Sequence, residues 1–407
     1  MSPTLIRLAT ASPSTANTPS ETLAQLYQVA SIAAANDADI LLLPEAYLGG
    51  YPRGLDFGCK IGSRTAEGRD EYLRYFQSAV DLGDTVGDGA GAGDAWVNKQ
   101  LGAQARDGQA DAPVTRGDGT REELERIARH TGVFIVVGLV EKTGGSLYCS
   151  VVYVCPKLGM IGKRRKVLPT GSERLIWAQG SPATLKAVST TIRGVRINMA
   201  AAICWENYMP LLRQTLYAQN INLYLAPTAD NREAWLGLMR TVAIEGRCFV
   251  ISSNMCNTSP RDNKPSDSES AGHGGHRAGG ANGAAGRRKS VIDEDGNEIA
   301  LPNGKQTAST TAVFEAEGVR KNGHVEPAAK AAVAAAASTR GGSSIVSPFG
   351  DVVAGPQWDD GCNVIFADVD FDDCVRGRLD LDVAGSYSRN DAFKFSVVGL
   401  NLEPLPY

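Results

Sequence analysis

Histidine is scarce in this chain, with four among 407 residues. Three of them, His273, His276 and His324, fall in a Gly- and Ala-rich stretch with too few apolar anchors to fold alone. Only His130 lies in a segment with a helical pattern, just before Gly132, where a histidine favours the helix dipole. A Ser–His–Asp or Cys–His enzyme would rest on that single residue, which argues against both. An excess of one charge is also missing: 41 Lys plus Arg against 45 Asp plus Glu give a net charge of −4. That balance offers no footprint for nucleic acid or an anionic membrane. No run reaches the ~18 uninterrupted apolar residues that a membrane helix needs. The N-terminal residues carry no basic segment followed by a long apolar core, so secretion is not expected. The eight cysteines (59, 149, 155, 204, 248, 256, 362 and 374) show no CxxC pair or knuckle spacing. Scattered thiols in apolar runs fit a reducing, cytoplasmic compartment and no disulfide framework.

What is present is ordinary globular material, 43% hydrophobic and 21% charged. The length fits one large domain with insertions or two modest ones. Strand-like and helix-like segments alternate. Thr18-Pro19-Ser20-Glu21 is a capping box opening a helix through Leu26, Val29 and Ile32. A short apolar strand, 39–44, follows, and Thr120 to Glu123 reads as a second capping box. Apolar strands are predicted at 133–140, 148–154, 198–203, 222–225, 249–252, 344–347, 352–353 and 364–369. Helices are predicted at 209–219, 232–245 and near 372–379. Strands this apolar need both faces covered, which predicts an α/β sandwich. Two segments, about 83–119 and 257–340, are rich in Gly, Ala and polar residues and read as solvated insertions. The second includes a candidate hairpin, RKSVIDEDGNEIALP. The pair His273 and His276 lacks a third metal ligand nearby, Arg287-Arg288-Lys289-Ser290 is a solvated basic run, and glycines 87–93 match no phosphate loop. Asn257-Thr258-Ser259 is a glycosylation pattern that only a secreted chain would use.

Three polar residues stand at or near the ends of apolar runs, where loops expose side chains beside a rigid sheet. Glu45 ends 40–44, Lys166 lies in GKRRKVLPTGSER, and Cys204 follows 199–203 and precedes Trp205-Glu206-Asn207. Singly each has a plain reading: a turn carboxylate, a solvated lysine and a core thiol. Together they suit a thiol activated without histidine, which needs a carboxylate base and a positive charge. An apolar pocket raises a carboxyl pKa, so Glu45 could take the thiol proton near neutrality. A neighbouring ammonium would favour the thiolate and the charge that develops on the attacked group.

These segments resemble the nitrilase branch of the carbon–nitrogen hydrolase superfamily, in its plant and fungal type. LLLPEAYLGGYPRG looks like the family's first motif, GKRRKVLPTGSERLIWAQG like its second and AAAICWENYMP like its third. EGRDEYLRY, LYCSVVYVCPKLGMIGKRRK, NLYLAPTAD, IEGRCFV and SSIVSPFGDVVAGP extend the likeness in order along nearly the whole chain outside the insertions. The resemblance implies one domain, 1–407, folded as a four-layer α-β-β-α sandwich. It implies Glu45 as general base, Lys166 (rather than Lys163) as stabiliser, Cys204 as nucleophile and Glu173 as a second glutamate. Trp205 would offer its backbone N–H to a developing anion, and Tyr51, Trp205 and Tyr208, with Tyr47 and Arg53 nearby, would shape the substrate pocket. Ala200 stands where the family usually has Gly, and the two insertions are longer than expected. The implied reaction hydrolyses an organic nitrile to an acid and ammonia with neither metal nor organic cofactor, in a homo-oligomer, a dimer or larger spiral. An amidase on linear amides, a hydratase of cyanide or cyanoalanine that stops at the amide, and a scaffold without turnover are the alternatives.

Overall fold

The computed structural model describes residues 4–86, 117–257 and 339–406, with two short strands between the last two segments. The chain divides into two compact units, Met1–Thr258 with Thr339–Tyr407, and Ser259–Ser338.

The first unit is built on two sheets. Strands β1 (Ile6–Ala11), β2 (Ile40–Leu42), β3 (Phe134–Thr143), β4 (Ser146–Cys155), β5 (Gly159–Arg165) and β15 (Val364–Val369) form one, in the order β15-β1-β2-β3-β4-β5. The other is seven-stranded: β6 (Val188–Ile192), β7 (Val195–Ala201), β8 (Leu223–Thr228), β9 (Phe249–Asn254), β10 (Cys256–Asn257), β13 (Thr339–Val346) and β14 (Val352–Trp358). In each sheet three adjacent strands, β1-β2-β3 and β7-β8-β9, run parallel. Parallel neighbours need crossovers, and helices supply them. These are α1 (Pro19–Ala35), α2 (Ala66–Ser78) and α3 (Thr120–Thr131) for the first sheet, and α4 (Pro210–Tyr217) and α5 (Glu233–Gly246) for the second. A last short helix, α6 (Asp372–Gly377), follows β15.

The two-residue period of the strands sorts their side chains into layers. On β3, Phe134, Val136 and Val140 face a core shared with Leu223, Leu225, Phe249 and Ile251 of the second sheet. Ile135, Val137 and Leu139 face the opposite way, onto Leu26 and Ala30 of α1 and Leu124 and Ile127 of α3. On the far side Tyr224 and Val250 pack under Leu212 and Leu216 of α4 and Met239 and Val242 of α5. The result is the four-layer α-β-β-α sandwich. The second unit contributes a hairpin among the described residues, β11 (Ser290–Ile292) against β12 (Glu298–Ala300), where the sequence pattern placed one.

The first capping box forms as read: Thr18 accepts from the Glu21 N–H, and Glu21 accepts from the Thr18 N–H at 3.1 Å. The second does not. Gly119 is the N-cap, with φ 94° and no side chain to offer, and Thr120 is already helical, its N–H bonded to Asp118 Oδ1. His130 lies in the last turn of α3 ahead of a left-handed Gly132, with Nδ1 3.0 Å from the Tyr27 hydroxyl.

The start of the first stretch read as a solvated insertion is packed against β5. Asp84 is buried against Lys163 at 2.6 Å, and Arg165 donates to the Thr85 carbonyl. Lys163 and Arg165 both bind Glu141 on β3, two strands away in the sheet. Burial alone would raise the Glu141 pKa, but the two cations outweigh it and hold it at about 2. The His273–His276 pair, the basic run at 287–289 and glycines 87–93 lie outside the described residues.

Candidate active site

Each of the three singled-out residues leaves a strand end on a backbone that its neighbours constrain. Glu45 follows β2 in a turn packed directly on β3. A Cβ at Gly138 would lie 2.3 Å from the Pro44 carbonyl oxygen and 2.7 Å from Glu45 Cα, so only glycine permits that approach. Lys166 extends β5 by one residue, its N–H bonded to the Cys149 carbonyl at 2.7 Å. Cys204 opens a 3₁₀ turn (Cys204–Tyr208) beyond β7 with φ 52°, a left-handed conformation that costs a β-carbon residue about 1–3 kcal/mol. A residue held in such strain beside polar groups is a functional candidate.

The side chains meet between the sheets. Lys166 Nζ donates to Glu45 Oε1 at 2.8 Å and to Glu173 Oε2 at 2.7 Å, with both partners and the lysine buried. Glu173 sits in the 3₁₀ turn Gly171–Leu175. Its Oε2 also accepts the Thr170 N–H, and its Oε1 accepts the Tyr51 hydroxyl at 2.9 Å. The second Glu45 oxygen, Oε2, is buried with no hydrogen-bond partner. Burial pushes the Glu45 carboxyl up despite the attraction of Lys166, with Glu173 adding to the rise and the Cys204 thiol opposing it as a donor. Burial also pushes the Cys204 thiol well up, Glu45 adds to it and Lys166 opposes. For Lys166, burial favours the neutral amine, but Glu45 and Glu173 prevail and keep it an ammonium. A neutral thiol, a carboxyl biased toward protonation and a fixed cation therefore share one dry volume, where electrostatic effects are strong. Lys163, the other lysine of the second motif, lies instead with Asp84 and Glu141.

The sequence model of the carbon–nitrogen hydrolase family matches residues 5–378. The chain belongs to that family. An arylacetonitrilase from Trametes versicolor is 34% identical over 93% of this chain and 91% of its own length. An aliphatic nitrilase from Sinorhizobium fredii is 35% identical over 90% and 86%. Among solved structures, a carbon–nitrogen hydrolase from Helicobacter pylori shares the fold, with a TM-score of 0.54 at 12% identity over 96% of this chain and 97% of that one.

In this carbon–nitrogen hydrolase a cavity of about 530 Å³ opens beside the cluster. Its wall includes Thr170 and Gly171, next to Glu173, and Trp205 and Tyr208, next to Cys204; Glu45, Lys166 and Cys204 themselves do not line it. Trp205 is held as a platform, its indole N–H on Asp230 at 2.9 Å and the Arg232 guanidinium 4.6 Å above its ring. Tyr51 is not part of that wall but buttresses Glu173. Tyr47 turns away altogether, buried in the helix-side core with its hydroxyl on Gln25 at 3.0 Å. Arg53 donates to the Ala229 carbonyl and stacks over Tyr51.

Sequence reasoning passed over Glu206. Its Oε1 accepts from Arg164 at 2.7 Å, the Val167 N–H at 2.6 Å and the Leu168 N–H, and its Oε2 accepts the Ile203 N–H. One fully buried carboxylate thus ties the lysine loop to the cysteine turn. Burial would raise its pKa, but Arg164 and the backbone donors lower it, so it stays ionised. The only sequence signal was an acid two residues beyond Cys204.

Proposed function

We propose that the chain is a nitrilase, hydrolysing an organic nitrile to a carboxylic acid and ammonia. The observation that carries this is a buried Cys204 beside a carboxylate that one lysine locks to a second carboxylate, in a chain whose relatives include enzymes named as nitrilases. Glu45 is the general base, and its buried carboxylate takes the proton of the neighbouring Cys204 thiol. Cys204 Sγ attacks the nitrile carbon; the displaced π pair moves to nitrogen, which is protonated, and a thioimidate forms. Lys166 stabilises the charge that builds on that nitrogen. Water adds to the thioimidate carbon, ammonia leaves after protonation, and a second water hydrolyses the thioester, returning the C–S pair to sulfur. If the C–S bond breaks before ammonia leaves, an amide is released. Both Glu173 oxygens are occupied by Tyr51, Thr170 and Lys166, which supports a role in orienting Lys166. Trp205 and Tyr208 contact the substrate from the cavity wall, and Tyr51 acts through Glu173.

We read the chain as one carbon–nitrogen hydrolase domain with two insertions, working as a homo-oligomer in the cytoplasm. All eight cysteines are free, which suits a reducing compartment. No helix among the described residues is long and apolar enough to cross a membrane. Leu211, Val375 and Leu379 are exposed on and beside α4 and α6, which supports association between copies. Cys204→Ala is expected to abolish turnover with the melting temperature unchanged. Quenching the wild-type enzyme on a nitrile should leave a substrate-derived mass on the Cys204 peptide. Full activity in the alanine variant, or an adduct elsewhere, overturns the assignment.

A further inference from the structure

We propose that the Thr228 hydroxyl is a further catalytic group, donating a hydrogen bond to Cys204 Sγ whenever that sulfur carries negative charge. Thr228 closes β8, the parallel neighbour of the strand that delivers Cys204, and it is fully buried. Its Oγ1 lies 3.3 Å from Cys204 Sγ as donor and accepts the Asp230 N–H at 2.9 Å. A hydroxyl has one hydrogen and two lone pairs. With the Asp230 amide on a lone pair, the hydrogen is left to point at sulfur. Asp230 is itself fixed by the Trp205 indole, by Arg232 and by the Asn254 side chain on its carbonyl. The donor is therefore pre-aimed, so no reorganisation is needed as charge develops.

Its contribution follows from the charges around the sulfur. Glu45, Glu173 and Asp230 all face Cys204 and disfavour a thiolate, and Lys166 is the cation opposing them. Arg232, on the Asp230 side, is already committed to that carboxylate at 2.5 Å. Lys166 is likewise shared between two carboxylates. Thr228 is a neutral donor that touches the sulfur itself. When the thiol proton passes to Glu45, the Thr228 bond becomes charge-assisted and strengthens. It weakens as the pair moves into the C–S bond, and it forms again when thioester hydrolysis expels the sulfur. Thr228 keeps its own proton throughout.

The role rests on Cys204 as nucleophile but not on the identity of the substrate. It is tested by the rate at which iodoacetamide alkylates Cys204, followed on that peptide by mass spectrometry across pH. Loss of a hydrogen bond to a charged group predicts a fall of roughly 10- to 100-fold in Thr228→Val, with a matching fall in kcat. The pH midpoint for alkylation should rise by about one unit or more. Thr228→Ser keeps the hydroxyl and should stay within about 3-fold of wild type, while Thr228→Ala should match the valine variant, so the Ser–Ala pair decides the matter if valine fails to fold. Alkylation unchanged in folded Ala and Val variants overturns the proposal, as does a serine variant as slow as alanine. Because alkylation needs no turnover, failure of the nitrilase reading would show separately, as absent nitrile hydrolysis with an intact Thr228 effect.

Discussion

Glu206 accepts Arg164 and three backbone N–H groups in a site closed to water, so Glu206→Gln removes a charge and turns an amide N–H₂ toward donors. Leaving Arg164 buried without its counter-charge should cost about 3 kcal/mol, read from urea unfolding, with kcat falling more than KM rises. Unchanged stability would remove the clamp from the account. Glu45 gives the second expectation at this scale. Its pKa is raised by burial and by Glu173 against the pull of Lys166 and Cys204, and a base works deprotonated. Activity should therefore fall away as pH drops through a value above that of an ordinary glutamate, measured as the acidic limb of kcat/KM. A limb at or below the ordinary value contradicts it. Glu45 and Cys204 stood out because each follows an apolar run, whereas Lys166 was told apart from Lys163 only by the family motif, since β5, GMIGKRR, is not an apolar run. Glu173 emerged only through the family resemblance. Glu206 and Thr228 were not legible, because their meaning lies in contacts across 24 to 42 residues of chain that no local pattern records.

At the scale of elements, strands such as β2, β3, β4, β8 and β9 were readable from apolar runs, because strands buried on both faces leave uninterrupted hydrophobic sequence. By contrast β1 (IRLATA), β5 (GMIGKRR) and β6 (VSTTI) carry polar residues and were not read. Boundaries were harder where a turn supplies the decisive contact. Thr120 to Glu123 has the composition of a capping box, yet the Asp118 carboxylate and a left-handed Gly119 start α3 instead. Asp84 sits in a run that reads as solvent-exposed and is drawn inward by Lys163 and Arg165, whose direction on β5 the sequence does not show. Gly138 bears on the site most directly, since it admits the Glu45 turn onto β3. Gly138→Ala should lower stability by about 1–3 kcal/mol and displace Glu45, cutting kcat sharply while the thiol stays alkylatable. Near-wild-type kcat in that variant would mean that the turn has room to shift without consequence.

For the whole molecule, two sheets face each other and the cluster lies where β2, β5 and β7 end. Asn257 and Thr339 are paired in the β10–β13 ladder, so the two chain segments of the first unit that flank 258–338 lie side by side. Replacing 258–338 by a short Asn-Gly turn should leave nitrile turnover and the melting temperature close to wild type; loss of both would make the second unit part of the catalytic fold. The most direct measurement for the central claim is ammonia release from phenylacetonitrile, benzonitrile, 3-cyanoalanine, cyanide and a few linear amides, with acid and amide products separated, for the wild type and Cys204→Ala. The account predicts ammonia and the carboxylic acid from at least one nitrile, and none from the alanine variant. Release from amides alone, or amide without ammonia, would contradict it.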